Sequence, residues 1–139
     1  MRNILLVEDT ITDGQFIKQT FSEINKYVNI EIVNNEETAK KYLQSNPSFQ
    51  NAIMADLIII DLMNSCLKFI EFIKSDSNLR RIPVIILSSS SDNEYINNCC
   101  SLFANAFIIK PKEKERFIEI INAIDNFWFK QTRLSSIPK

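Results

Sequence analysis

Residues Ala55 to Cys66 read ADLIIIDLMNSC. The apolar run Leu57–Ile60 has the length and flanks of a fully buried strand, and it shows no polar alternation. A strand of that kind belongs to a parallel sheet covered by helices on both faces. Yet the run ends directly on a carboxylate, Asp61, with a second acid, Asp56, just before it. Strands end at the surface, where an Asp needs no special reason. At the carboxyl end of a parallel strand, however, an acid stands on the rim where ligands of open α/β sheets bind. The remainder of the chain decides between the two readings.

Outward from this stretch the chain alternates between two periods. Asn3–Val7 (NILLV) is a short apolar run closed by Glu8 and Asp9. Phe16, Ile17, Thr20, Phe21 and Ile24 then fall at helical spacing. Val28–Val33 (VNIEIV) alternates and suits an outer strand. Asn34 or Asn35 can cap a helix whose first turn holds Glu36 and Glu37 and which runs to about Ser45. Leu67–Ser75 is helical, Pro83–Leu87 (PVIIL) is a buried strand leading into a run of serines, and Asp92–Phe103 is helical. Ala106–Ile109 (AFII) is the last strand, and a helix from Glu113 to about Phe129 carries Phe117, Ile121, Ile124 and Trp128 as a core-facing stripe. The pattern is βα repeated along the chain, with a parallel sheet between two helical layers. Right-handed crossovers leave two usual strand orders, one of them 2-1-3-4-5.

Composition bounds the function. The chain of 139 residues is the size of one domain, residues 1–139, with no linker or repeat. It can bury roughly 70% of its unfolded surface, so it needs no staple. A net charge of -1 argues against nucleic acid or an anionic membrane as partner. No segment is apolar for long enough to span a bilayer, and MRNILLVED reaches acids too soon for a signal peptide. The expected location is therefore the cytoplasm, with Cys66, Cys99 and Cys100 as reduced structural thiols. The chain has no His, which excludes Ser-His and Cys-His nucleophile pairs.

In the order 2-1-3-4-5 the first and third strands are neighbours, so Glu8, Asp9 and Asp61 converge at one rim. Three carboxylates together repel unless a cation neutralises them. Oxygen ligands without His or Cys suit Mg²⁺. Ser88 closes the fourth strand and Lys110 the fifth. Singly, the Lys reads as a solvated strand end, the Ser as a turn residue and the acid pair as a helix cap. Jointly they make a phosphorylation site: Asp61 as nucleophile, Mg²⁺ and Lys110 on the phosphoryl oxygens, and Ser88 as a hydrogen-bond donor.

These motifs resemble the receiver domains of response regulators in two-component signalling. ILLVEDT is similar to their first strand with its acidic pair, LIIIDL to the phosphoacceptor strand, VIILSSS to the fourth strand and FIIKP to the fifth. The resemblance covers Asn3 to about Trp128 and implies a flavodoxin-like doubly wound fold, (βα)5, with a five-stranded sheet of order 2-1-3-4-5. It also implies the backbone carbonyl of Met63 as a further Mg²⁺ ligand, a cis Lys110–Pro111 bond, and Phe107 as the aromatic partner of Ser88 in a phosphorylation switch. IKSDSNLRRIPV and the ending NFW resemble single-domain receivers that partner bacteriophytochrome-type kinases.

The expected function is thus a phosphoacceptor response regulator. It would take a phosphoryl group from a kinase phosphohistidine onto Asp61 and signal by protein interaction, with a homodimer through the fourth helix, fifth strand and fifth helix. One departure stands against it. DLMNSCLKF lacks the Pro and Gly of the family's loop and is shorter than the family pattern, with Cys66 where the Gly falls. The alternative is a degenerate receiver acting as a constitutive interaction module. An enzyme on this fold, such as a phosphatase with an Asp nucleophile, is discounted because Met63 stands where its second acid is needed.

Overall fold

A computed structural model describes residues 2–44, 55–63 and 66–131. The strands are β1 (Arg2–Glu8), β2 (Val28–Val33), β3 (Leu57–Asp61), β4 (Val84–Ser88) and β5 (Ala106–Ile109). The helices are α1 (Ile11–Ile24), α2 (Glu36–Leu43), α3 (Leu67–Ser75), α4 (Asn93–Ser101) and α5 (Lys114–Asp125). All strand pairs are parallel and the order is β2-β1-β3-β4-β5. This is the doubly wound, flavodoxin-like arrangement, with its switch point between β1 and β3.

Alternation along each strand divides the core in two. Leu5, Val7, Ile58, Ile60, Val84 and Ile86 point to a layer built by α2, α3 and α4, in which Phe69, Ile70 and Ile73 are fully buried. Ile4, Leu6, Leu57, Ile59, Ile85 and Leu87 point to the other layer, where Ile17 and Phe21 of α1 meet Phe117, Ile121 and Ile124 of α5. The central strand β3 is buried at every position, which is why its sequence does not alternate. Truncating a side chain such as Phe69 to Ala would cost about 3–5 kcal/mol by loss of transfer energy and the cavity left behind.

Local chemistry sets the helix ends. The Asn35 side chain accepts a hydrogen bond from the Thr38 N–H at 2.8 Å, resolving the two candidate caps in favour of the second. Asp92 caps α4 by accepting from the Glu94 N–H. At the other end of α4, Phe103 takes a left-handed conformation (φ 69°), a position that glycine usually fills.

Several expectations change. Helix α2 ends at Leu43 rather than about Ser45; residue 45 and the following Asn-Pro lie outside the described residues. Helix α5 does not run uniformly to Phe129: from Asn126 to Gln131 it widens into a π-helical turn. That turn still packs Trp128 and Phe129 against the α1–α5 layer. Cys66 and Cys99 are core residues, but Cys100 is exposed, because adjacent helical residues cannot face the same side. No peptide bond among the described residues is cis, so the Lys110–Pro111 bond implied by the family resemblance is trans instead. Trans is the intrinsically favoured isomer, and in it the Lys110 side chain already reaches the rim of the sheet. No described helix is long and apolar enough to cross a membrane.

Candidate functional site

The parallel register puts Glu8 opposite Asp61 at the carboxyl ends of β1 and β3. Beyond β4, the Lys110 N–H donates to the Ser88 carbonyl at 2.7 Å, which brings the Lys to the same rim. Together these chain ends enclose a cavity of about 290 Å³ lined by Glu8, Asp9, Thr10, Asp13, Asp61, Leu62, Met63, Ser88, Ser89, Ser90 and Lys110. The sequence-predicted acids, Met63, Ser88 and Lys110 therefore all border one pocket. Phe107 does not. It is half-buried on β5, packed edge-on against Tyr95 of α4 with ring centroids 5.9 Å apart.

Lys110 organises the charges. Its ammonium donates to Asp61 and, at 2.7 Å, to Asp13, and it lies 4.0 Å from the buried Glu8 carboxylate. Burial alone would pull its pKa down, but the hydrogen bonds to Asp13 and Asp61 and the charges of Asp61 and Glu8 outweigh it. The net shift is upward, so the ammonium stays protonated.

Glu8 is the most constrained acid, only 2% exposed. Its Oε2 accepts from the Thr10 N–H at 3.2 Å, whereas Oε1 is buried without a hydrogen-bond partner. Burial first, then the adjacent Asp61, push the Glu8 carboxyl up to about 9. A proton there lets one acid donate to the other instead of repelling it. A cation could take its place.

Asp9 turns differently. It is exposed, and its Oδ2 accepts from the Met63 N–H at 2.9 Å, tying the end of β1 to the loop after β3. The Met63 side chain is 86% exposed, and residues 64 and 65 lie outside the described residues. Ser88 Oγ accepts from the Ser90 N–H at 3.1 Å, within the turn that leaves β4.

Asp13 is the residue that sequence reasoning missed. It occupies the first turn of α1, and one carboxylate oxygen from each of Glu8, Asp13 and Asp61 lies within 4.8 Å of the others. Helix α1 approaches this closely because its next residue is Gly14, where an added Cβ would stand 3.3 Å from Glu8 Cγ. The available signal was an acid in the helix turn that follows the acidic pair. With oxygen donors only, and a buried Glu8 oxygen lacking a partner, the acids of this rim fit a hard divalent cation.

Strand order and pocket together define a doubly wound α/β domain whose carboxylate-and-lysine rim lies at the topological switch point. Comparison with known proteins makes this specific. The family model for the response regulator receiver domain matches residues 4–122, and the chain belongs to that family. Its relatives include the response regulator Rcp1 of Synechocystis sp., 24% identical over 134 residues that cover 94% of this chain and 91% of that protein. The crystal structure of the Mn²⁺-bound form of Rcp1 shares the fold, with a TM-score of 0.89 at 23% identity over 98% of this chain and all of that one (100%). The phosphorylated cyanobacterial phytochrome response regulator RcpA superposes with a TM-score of 0.90 at 30% identity, covering 97% of this chain and 99% of that one. The protein is a receiver domain of two-component signalling.

Proposed function

We propose that Asp61 accepts a phosphoryl group from a phosphohistidine on a sensor kinase, with Mg²⁺ as the cation. The observation that carries this reading is the Lys110 ammonium held against Asp61 inside a pocket of carboxylates from β1, α1 and β3. A carboxylate oxygen of Asp61 attacks phosphorus, the O–P bond forms, and the N–P bond of the phosphohistidine breaks with its electron pair returning to the imidazole. Lys110 pairs with a phosphoryl oxygen as negative charge builds there, and Ser88 donates a hydrogen bond to another. Glu8, Asp9, Asp61 and the Met63 carbonyl would hold Mg²⁺, which when bound offsets charge on the phosphoryl oxygens. The orphaned buried oxygen of Glu8 supports that assignment, and Asp9 supports it indirectly by holding the Met63 backbone at the rim.

The word phytochrome in the names of RcpA and of the bacteriophytochrome response regulator RtBRR (25% identical, TM-score 0.75, covering 99% of this chain and 84% of that one) favours a phytochrome-type kinase as phosphoryl donor. Output through protein contact, including self-association across α4, β5 and α5, is favoured by exposed apolar side chains there, Ile109 at 51% and Phe127 at 54%. The degenerate-receiver reading is not favoured, because the residues needed for acceptor chemistry share one pocket despite the altered loop.

Acetyl phosphate with Mg²⁺ tests the acceptor directly. Intact mass spectrometry should find one phosphoryl group on the wild type and none on Asp61→Asn. An unlabelled wild type, under conditions that label an ordinary receiver, would overturn the proposal.

A further inference from the structure

We infer that Asp13 is a positioning residue for Lys110, sharing the ammonium with Asp61 so that the nucleophile is not fully neutralised before a phosphoryl group arrives. The inference rests on the acceptor role proposed for Asp61. Three observations support it. The Asp13 carboxylate receives the Lys110 ammonium at 2.7 Å, while Glu8 stands at 4.0 Å. Asp13 comes from α1 and Lys110 from just beyond β5, so the contact joins two elements far apart in the chain. Finally, Gly14 lets α1 sit against Glu8, so the backbone that carries Asp13 is held close to the pocket.

An ammonium has three donors and no preferred plane. With Asp13 present, Asp61 and Asp13 each take a hydrogen bond through their Oδ2 atoms. Without Asp13, the same ammonium would be free to close over both oxygens of Asp61, lowering the electron density available to attack phosphorus. When a phosphoryl group reaches Asp61, Lys110 must reach one of its oxygens. The retained bond to Asp13 then fixes the side from which it does so. The side chain of Asp13 is 42% exposed, so its own charge is partly screened and the bond can be held without a large desolvation cost.

The test is the rate of labelling by acetyl phosphate at saturating Mg²⁺, followed by intact mass, with Mg²⁺ affinity titrated separately. Asp13→Ala should slow labelling by roughly tenfold, the low end for a charge-assisted hydrogen bond at a half-exposed position. Asp13→Asn keeps an acceptor oxygen and should recover part of that loss. In a Lys110→Ala background, Asp13→Ala should have no further effect, because a residue acting through another has nothing left to act on.

Unchanged or faster labelling by Asp13→Ala would overturn the inference while leaving the role of Asp61 intact. So would an equal loss in both backgrounds, or weakened Mg²⁺ binding with a normal rate at saturation. Failure of the wild type itself to be labelled would overturn the acceptor reading and this inference with it.

Discussion

The hydroxyl of Tyr95, on α4, lies 3.1 Å from the sulfur of Cys66 and accepts a hydrogen bond from the Cys66 backbone N–H at 3.3 Å. Cys66 precedes α3 and closes the loop that follows Asp61, while the ring of Tyr95 rests edge-on against Phe107 of β5. One side chain therefore joins the start of α3 to the edge strand β5. It also takes over the satisfaction of an N–H at the start of α3, where no side-chain cap is present.

Tyr95→Phe keeps the ring contact and removes the acceptor. Losing the hydroxyl's part-buried contacts to the Cys66 N–H and sulfur should lower stability by about 1 kcal/mol, read as a fall in the urea midpoint with an unchanged slope. An unaltered midpoint would show that water replaces the hydroxyl at no cost.

Glu8 makes the metal-free protein sensitive to pH. Its carboxyl is pushed from an ordinary 4.5 up to about 9 by burial and by Asp61. Between these values the folded chain retains a proton that the unfolded chain has released. The stabilising contribution of Glu8 is therefore fully present below the unfolded pKa and is lost as pH rises through the window. Urea unfolding in the presence of a chelator should show that decline, and Glu8→Gln should flatten it. A wild type whose stability rises across the same window would contradict the assignment.

Phe103 ends α4 with φ 69°, and its side chain is 74% exposed. Its ring contributes little burial to offset a left-handed backbone that costs a non-glycine residue roughly 1–2 kcal/mol. Phe103→Gly should stabilise the fold by roughly 1 kcal/mol, less glycine's larger entropy loss on folding. Differential scanning calorimetry would detect the rise in Tm, and a fall would mean that the Phe ring contributes more than its exposure implies.

Ser88 is engaged in its own turn, accepting from the Ser90 N–H. Its hydroxyl proton remains available to donate to a phosphoryl group on Asp61, and the self-association proposed above would then respond through Phe107 and Tyr95. Ser88→Ala should still be labelled at Asp61 yet lose most of the phosphorylation-dependent change in self-association. Sedimentation velocity of both proteins, phosphorylated and not, measures this. A mutant that switches as fully as the wild type would place the route elsewhere.

Much of this protein was legible in its residues. Unbroken apolar runs at Leu57–Ile60 and Val84–Leu87 can only be buried on both faces, so parallel strands between helical layers followed from them. Glu8, Asp61, Ser88 and Lys110 were legible as rim residues because each stands at or just beyond a strand end, and the parallel order aligns those ends. The outward turn of Asp9 toward Met63, the approach of Asp13 to Lys110, and the link from Tyr95 to Cys66 were decided only by tertiary structure. A strand end has its location set by pairing, which local pattern encodes. The direction of a loop or first-turn side chain depends on how closely a helix packs and on which distant donor it meets, and those partners are assembled only when the layers close.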